Sequence, residues 1–274
     1  MAAYVHRQPL GWLLLPAGLL YGVLAFLPLA TMLRLSMAEG TAHYAEVTSG
    51  RLLWRAAGNT LAISLTTTAI ALVLGYVVAA ALWRSGPAMR SLLFGFIMLP
   101  FWTAVLVKNF AWAALLQDNG VVNGLLQWAG LTDAPIRLMH NRFAVVVGMV
   151  HYVLPYAVFP IYTAMRGIDL RLERAARSLG ATGLALFLTI ILPLTMPGVL
   201  GAALLVFIVS AGFFVTPVVL GSPSDMMISN LVGYYLHELV DFNAASALAM
   251  LILAAITPVI VLQQFLGGRT RGRA

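Results

Sequence analysis

Six long apolar runs separated by short polar segments leave this chain few possible folds. They cover about Leu10–Leu33, Ala56–Trp83, Ser91–Leu116, Phe143–Met165, Leu186–Val209 and Ala244–Leu266. Each is near the roughly 20 residues that an α-helix needs to cross a bilayer. Lipid offers no hydrogen-bond partners, so a spanning segment must satisfy its own backbone, as a helix does. A barrel would show short alternating strands, and none are visible. The expected fold is an all-α polytopic membrane protein, one transmembrane domain over residues 1–274 with six spans. Composition agrees: 9% of residues are charged and 61% hydrophobic, against about 25% charged in soluble domains. The first run starts like a signal peptide. It is longer than a signal core and has no nearby A-x-A site, so a retained helix is expected.

The net charge of +7 would suggest nucleic acid in a soluble protein. Here the basic residues sit in short loops, which points to membrane topology and not to nucleic acid. Arg7, Arg84, Arg90, Arg166, Arg171, Arg174, Arg177, Arg269, Arg271 and Arg273 fall on one side. Arg34, Arg51, Arg55, Arg137 and Arg142 fall on the other, with most of the acids. The first side is therefore expected in the cytoplasm, with both termini.

Between the runs, Arg34–Arg55 reads as a polar loop. Asn59–Thr60 reads as a possible helix cap. Val121–Trp128 reads as a short amphipathic helix at the membrane surface, stopped by Gly130. Asp225 reads as the cap of a partly interfacial helix from about Met226 to Leu239.

No catalytic set emerges. There is no GxxxxGK[ST] loop, H-E-x-x-H or G-x-S-x-G, so neither ATP binding by this chain nor metal or serine hydrolysis is expected. With no cysteines, disulfides and thiolate sites are excluded. His6, His43, His140, His151 and His237 are scattered and form no ligand set. Two polar clusters lie inside the runs. Phe101-Trp102-Thr103 precedes Lys108, Asn109, Phe110 and Trp112; His151-Tyr152 precedes Pro155-Tyr156. A lysine in a span either snorkels to the interface or faces water or a partner. Prolines at 155 and 160 free carbonyls that can line a wet cavity, or simply kink the helix. Gly212-Phe213-Phe214 before Pro217 suits a gate of bulky rings, or core packing. The candidate solute path is Trp102, Lys108, Asn109, Trp112, Tyr152, Tyr156, Phe213 and Phe214.

The most charged stretch is L-R-L-E-R-A-A-R-S-L-G, Leu170–Gly180, followed by an apolar segment reaching Pro193 and Pro197. Its spacing resembles the EAA loop of permease subunits of binding-protein-dependent ABC importers. Ala175–Ala176, Gly180, Ile190, Leu192 and Pro193 keep that register. Arg174 stands where the family has Glu, and Glu173 comes one residue earlier. Leu99–Trp112, Phe143–Tyr156, Tyr162–Asp169 and Gly212–Asn230 further resemble the first permease subunit of Pot-type polyamine importers.

The resemblance implies a type I ABC importer permease with short interfacial helices. It implies a multi-pass protein of the bacterial inner membrane, paired with a second related permease, a cytoplasmic ATPase dimer that binds the ATP, and a periplasmic solute-binding protein. It places an ATPase-coupling loop at about 166–186, with Arg171, Glu173, Arg174, Ala175, Ala176, Arg177 and Gly180 at its centre. A polyamine such as spermidine or putrescine is the first expectation for the solute; an opine, amino acid derivative or phosphonate is the alternative. Asp118, Asp133, Asp225, Glu238 and Asp241 are candidate binding-protein docking acids. A secondary transporter is the rival from another class, but its coupling acid would sit within a span, and here the acids fall in loops or at span ends.

Overall fold

The computed structural model describes residues 11–271, and no strand occurs among them. The helices in order are α1 (Gly11–Ser36), α2 (Ala42–Ser49), α3 (Arg51–Arg84), α4 (Pro87–Trp102), α5 (Val105–Leu116), α6 (Val121–Trp128) and α7 (Arg142–Arg166). Then come α8 (Leu170–Ser178), α9 (Gly183–Leu186), a π-helical turn (Phe187–Ile191), α10 (Leu192–Ala211) and α11 (Val215–Leu220). A 3-10 turn (Pro223–Asp225) leads to α12 (Ile228–His237) and α13 (Phe242–Arg271). By length and apolar character α1, α3, α7 and the continuous run Gly183–Ala211 can each cross a membrane. The pair Pro87–Trp102 and Val105–Trp128 reaches that standard only together, bent by 99° at its break. The described apolar part of α13 is Phe242–Pro258.

The chain divides into two compact units. The first comprises residues 11–51 and 232–255. There the Tyr44 hydroxyl donates to Ser36 Oγ at 2.8 Å. His43 lies 3.8 Å from Glu39 and 3.9 Å from Glu46. Burial pushes the Tyr235 phenol upward, and Glu46, Asp241 and Tyr234 add to the effect. The expected polar loop after the first span is thus partly helical: α2 lies within it, and α3 begins at Arg51.

The second unit, residues 52–231 and 256–271, is built around α7. This helix starts on an Asn141 cap, whose side chain accepts from the Ala144 N–H at 3.0 Å. Thirteen of its residues are buried, so both neighbours must come close. They do so through small residues. A Cβ at Gly75 of α3 would sit 2.7 Å from the Ala157 Cβ. A Cβ at Gly198 of α10 would sit 2.5 Å from the Ala164 Cβ and 2.8 Å from the Pro160 carbonyl oxygen. The Pro160 carbonyl thus lies at the α10 seam. The apolar core follows α7 along its length. Ile63, Met149, Val150 and Leu220 form one cluster, Ala71, Val153, Ala157 and Val206 the next, and Leu82, Ile161, Met165 and Ala202 the last.

Three local expectations need correcting. The run Ser91–Leu116 is not one straight helix. Pro100 has no N–H, which weakens the last turn of α4, and Ala104 is extended at φ −57°, ψ 140°. Asn59 and Thr60 do not cap a helix: they lie inside α3 and both are buried. Asp225 does not cap the following helix. It closes its own 3-10 turn, accepting from the Ser222 N–H and hydroxyl. By contrast α6 spans Val121–Trp128 as read from its pattern, and Gly130 follows it at φ 67°.

Candidate functional site

Polar and aromatic groups in the second unit gather where α5 and α7 meet the break between α10 and α11. Lys108 is 8% exposed, so it does not snorkel. Its Nζ donates to the Pro100 carbonyl at 2.9 Å and stands 4.4 Å from the centre of the Tyr152 ring. No carboxylate lies within ion-pair distance of it among the described residues. A buried cation held by a carbonyl at a helix end and an aromatic face is consistent with cation–π stabilisation. Asn109 is buried beside it. Its Oδ1 accepts from the Thr216 hydroxyl at 3.1 Å, and its Nδ2 has no partner among the described residues.

The aromatic side chains form a row. Phe101 lies 5.9 Å from Tyr156, Tyr156 6.1 Å from Tyr152, and Tyr152 4.7 Å from Phe213, edge to face. The Trp112 indole N–H donates to His151 Nδ1 at 3.0 Å. The structure thus brings together Lys108, Asn109, Trp112, Tyr152, Tyr156 and Phe213. It leaves out two expected members: Trp102 is 84% exposed, with its ring against Phe101, and the Phe214 ring is 41% exposed. The reason is local. The chain breaks directly after Trp102, and the short turn before α11 points successive residues in different directions.

Residues that sequence reasoning missed hold this site from one end. Asn59 Nδ2 donates to the carbonyls of Ser224 and Met226 at 2.8 and 3.1 Å. Its Oδ1 accepts from Arg142 Nη2 at 2.8 Å, and Arg142 Nε lies 3.7 Å from Asp225. The Thr60 hydroxyl accepts from the Ile228 N–H at 2.9 Å. Ser229 donates to the Phe213 carbonyl, and Asn230 Nδ2 to the Phe214 carbonyl at 2.8 Å. The only advance signal was a set of polar residues inside apolar runs.

The five candidate docking acids differ in their surroundings. Asp225 is buried and engaged with Arg142 and Ser222, so it is not a docking acid. Asp241 Oδ1 accepts from the Asn243 and Ala244 N–H groups at the start of α13. Asp118 is exposed and lines a cavity of about 720 Å³ with Gln117, Arg137, Met139 and His140. Asp133 and Glu238 are exposed.

At the other end of α7 stands α8. The Asp169 carboxylate accepts from the Arg171 N–H at 2.8 Å and caps it. The Ala181 N–H donates to the Ala176 carbonyl and the Gly180 N–H to that of Arg177, each at 3.0 Å. This closure needs a left-handed residue, and Gly180 has φ 84°. Arg177 pairs with Glu173 at 2.8 Å within the helix. Arg171 and Arg174 are exposed, as is Ala175, and Ala176 is half-buried. The most exposed apolar side chain here is Leu179 at 89%, which the charge pattern had not singled out. Trp83, Arg84, Leu170, Glu173 and Arg177 line a cavity of about 410 Å³.

Residues 71–272 match the family described as "Binding-protein-dependent transport system inner membrane component". The chain belongs to that family. The permease is 34% identical over 200 residues to "Spermidine/putrescine transport system permease protein PotB" of Escherichia coli (strain K12), covering 72% of this chain and 73% of that one. It is 26% identical over 226 residues to "Inner membrane ABC transporter permease protein YdcU" of the same organism, covering 76% and 68%. A solved structure, a "bacterial alginate ABC transporter in complex with alginate pentasaccharide-bound periplasmic protein", contains a similar chain. That chain has a TM-score of 0.79 at 17% identity, covering 95% of the permease and 94% of its own length. The fold is that of type I ABC importer permeases. The permease is an inner-membrane transport subunit and not an enzyme; permeases of this family work with an ATPase and a binding protein. Family membership removes the secondary-transporter reading.

Proposed function

We propose that this permease carries a polyamine-like cation along the row Phe101, Tyr156, Tyr152 and Phe213, which is the observation that carries the reading. Aromatic faces attract amines by cation–π contact, and Asn109 Nδ2 is a donor without a partner among the described residues. The identity to a spermidine/putrescine permease supports the same solute class. The end of α7 that bears α8 faces the cytoplasm, as do both termini, because the greater share of loop arginines lies on that side. There α8, with Arg171, Glu173, Arg174, Ala175, Ala176, Arg177 and Gly180, seats against an ATPase dimer that binds the ATP. The Asn59–Arg142 end faces the periplasmic binding protein, and a second related permease completes the path. The whole chain acts as one permease domain.

The test is uptake by the complete importer in vesicles with its own binding protein. Spermidine or putrescine should be taken up and should compete with each other. Uptake confined to solutes bearing a carboxylate or phosphonate would overturn the polyamine assignment. Such solutes are the second reading, and Lys108 favours it, since a buried cation without an acid partner attracts an anionic group.

A further inference from the structure

The turn between α10 and α11 carries an unusual backbone debt. Were the helix continuous, the Phe213 carbonyl would accept from the N–H of residue 217. That residue is Pro217, which has no N–H. A carbonyl left without a donor at membrane depth is costly. Ser229 supplies the missing donor from the first turn of α12. Asn230 adds a second bond, to the Phe214 carbonyl, and at the same time accepts from the Met227 N–H at 3.2 Å. Both bonds join residues 16 positions apart.

The segment that carries Ser229 and Asn230 is itself fixed. Asn59 holds the carbonyls of Ser224 and Met226, and Thr60 holds the Ile228 N–H, so one end is tied to α3. Arg142 ties Asn59 and Asp225 to the start of α7. Pro223 and Ser224, at the tip of the segment, are exposed. Phe213 in turn packs edge-on against Tyr152, whose face holds Lys108. A surface tip, two side-chain donors and the aromatic row are thus joined by direct contacts.

We infer that Ser229 and Asn230 are positioning residues for the passage: they clamp the Phe213–Phe214 turn closed against Tyr152, and displacement of the Ser222–Asn230 segment by the docked binding protein releases it. The inference rests on the proposed reading of the row as the path and of this end as the docking end. The two bonds belong to the closed arrangement, so weakening them shifts the population towards the open one. The open arrangement is the one that docking otherwise has to produce, so the demand for the binding protein should fall.

The experiment measures ATP hydrolysis by the complete importer in vesicles, with and without solute-loaded binding protein. Asn230→Ala and Ser229→Ala should each raise the unstimulated rate about fivefold or more, the population change expected for one lost stabilising contact. The ratio of stimulated to unstimulated rate should fall in step. A merely structural role would lower both rates together. Asn230→Asp keeps the acceptor for Met227 and loses the donor to Phe214. It should behave like Asn230→Ala, and it carries the test if the alanine variant fails to assemble. Assembled Asn230→Asp and Ser229→Ala complexes with wild-type unstimulated rates would overturn the clamp. A wild-type importer that binding protein does not stimulate would instead overturn the proposed function beneath it.

Discussion

Arg142 of α7 donates to the Asn59 side-chain oxygen of α3 at 2.8 Å, which fixes the orientation of that amide. Its two N–H groups are then aimed at Ser224 and Met226, up to 167 residues away in sequence. One small side chain therefore joins three separate parts of the second unit.

Asn59→Ala should destabilise the permease strongly. Two partly buried carbonyls lose their side-chain donor and Arg142 keeps only Asp225; a buried group left unmatched costs about 1–3 kcal/mol. Thermal unfolding of the solubilised complex should shift to markedly lower temperature. Asn59→Asp keeps the acceptor for Arg142 but turns a carboxylate oxygen toward both carbonyls, and should also unfold below wild type.

Gly198→Val should disrupt packing of α10 on α7. The added Cβ meets the Pro160 main-chain oxygen at 2.8 Å, and backbone cannot yield as a side-chain tip can. Overpacking of this kind costs about 1–3 kcal/mol. Gly201→Ala is the control, because nothing lies within 4 Å of its added Cβ. Yield and unfolding temperature of the two purified variants should separate clearly.

At the end proposed to meet the ATPase, Leu179→Asp should leave the subunit folded, because that side chain is 89% exposed. Uptake should fall while ATP hydrolysis persists, or ATPase should be lost from the purified complex. Gly180→Asp should give the same uncoupling, with an added strain of about 1–2 kcal/mol for a left-handed residue bearing a Cβ. Wild-type uptake in both variants would show that α8 does not transmit force.

Lys108→Gln should reveal the charge of the solute. Removing a cation roughly 8–16 Å from a passing amine relieves about 1–2 kcal/mol of repulsion at an effective dielectric near 20. For a polyamine the apparent KM of uptake should drop severalfold. For an anionic solute it should rise by a similar factor.

Much of this was readable from the chain because it was local. The Val121–Trp128 helix, its glycine stop and the register of α8 before Gly180 each depend on residues a few positions apart. Asn59 and Thr60 looked like a cap because the groups they bridge lie 83 to 168 residues ahead, beyond any periodic pattern. Asp225 misled for a related reason: an aspartate before an apolar run suits an N-cap, but the carboxylate is already taken by Ser222 and Arg142. The aromatic row was only half legible. Its ring types were evident, whereas the break after Trp102 decided which rings turn inward.

The glycine seams that hold α7 have a mechanical consequence. With α3 and α10 pressed so close, bending α7 alone would open voids along both seams, so the three helices should swing as a stiff lever. At 25 residues α7 is about 37 Å long. A tilt of about 10° around its middle then carries each tip about 3 Å. A nudge at the α8 foot would thus reappear, reversed in direction, beside Asn59.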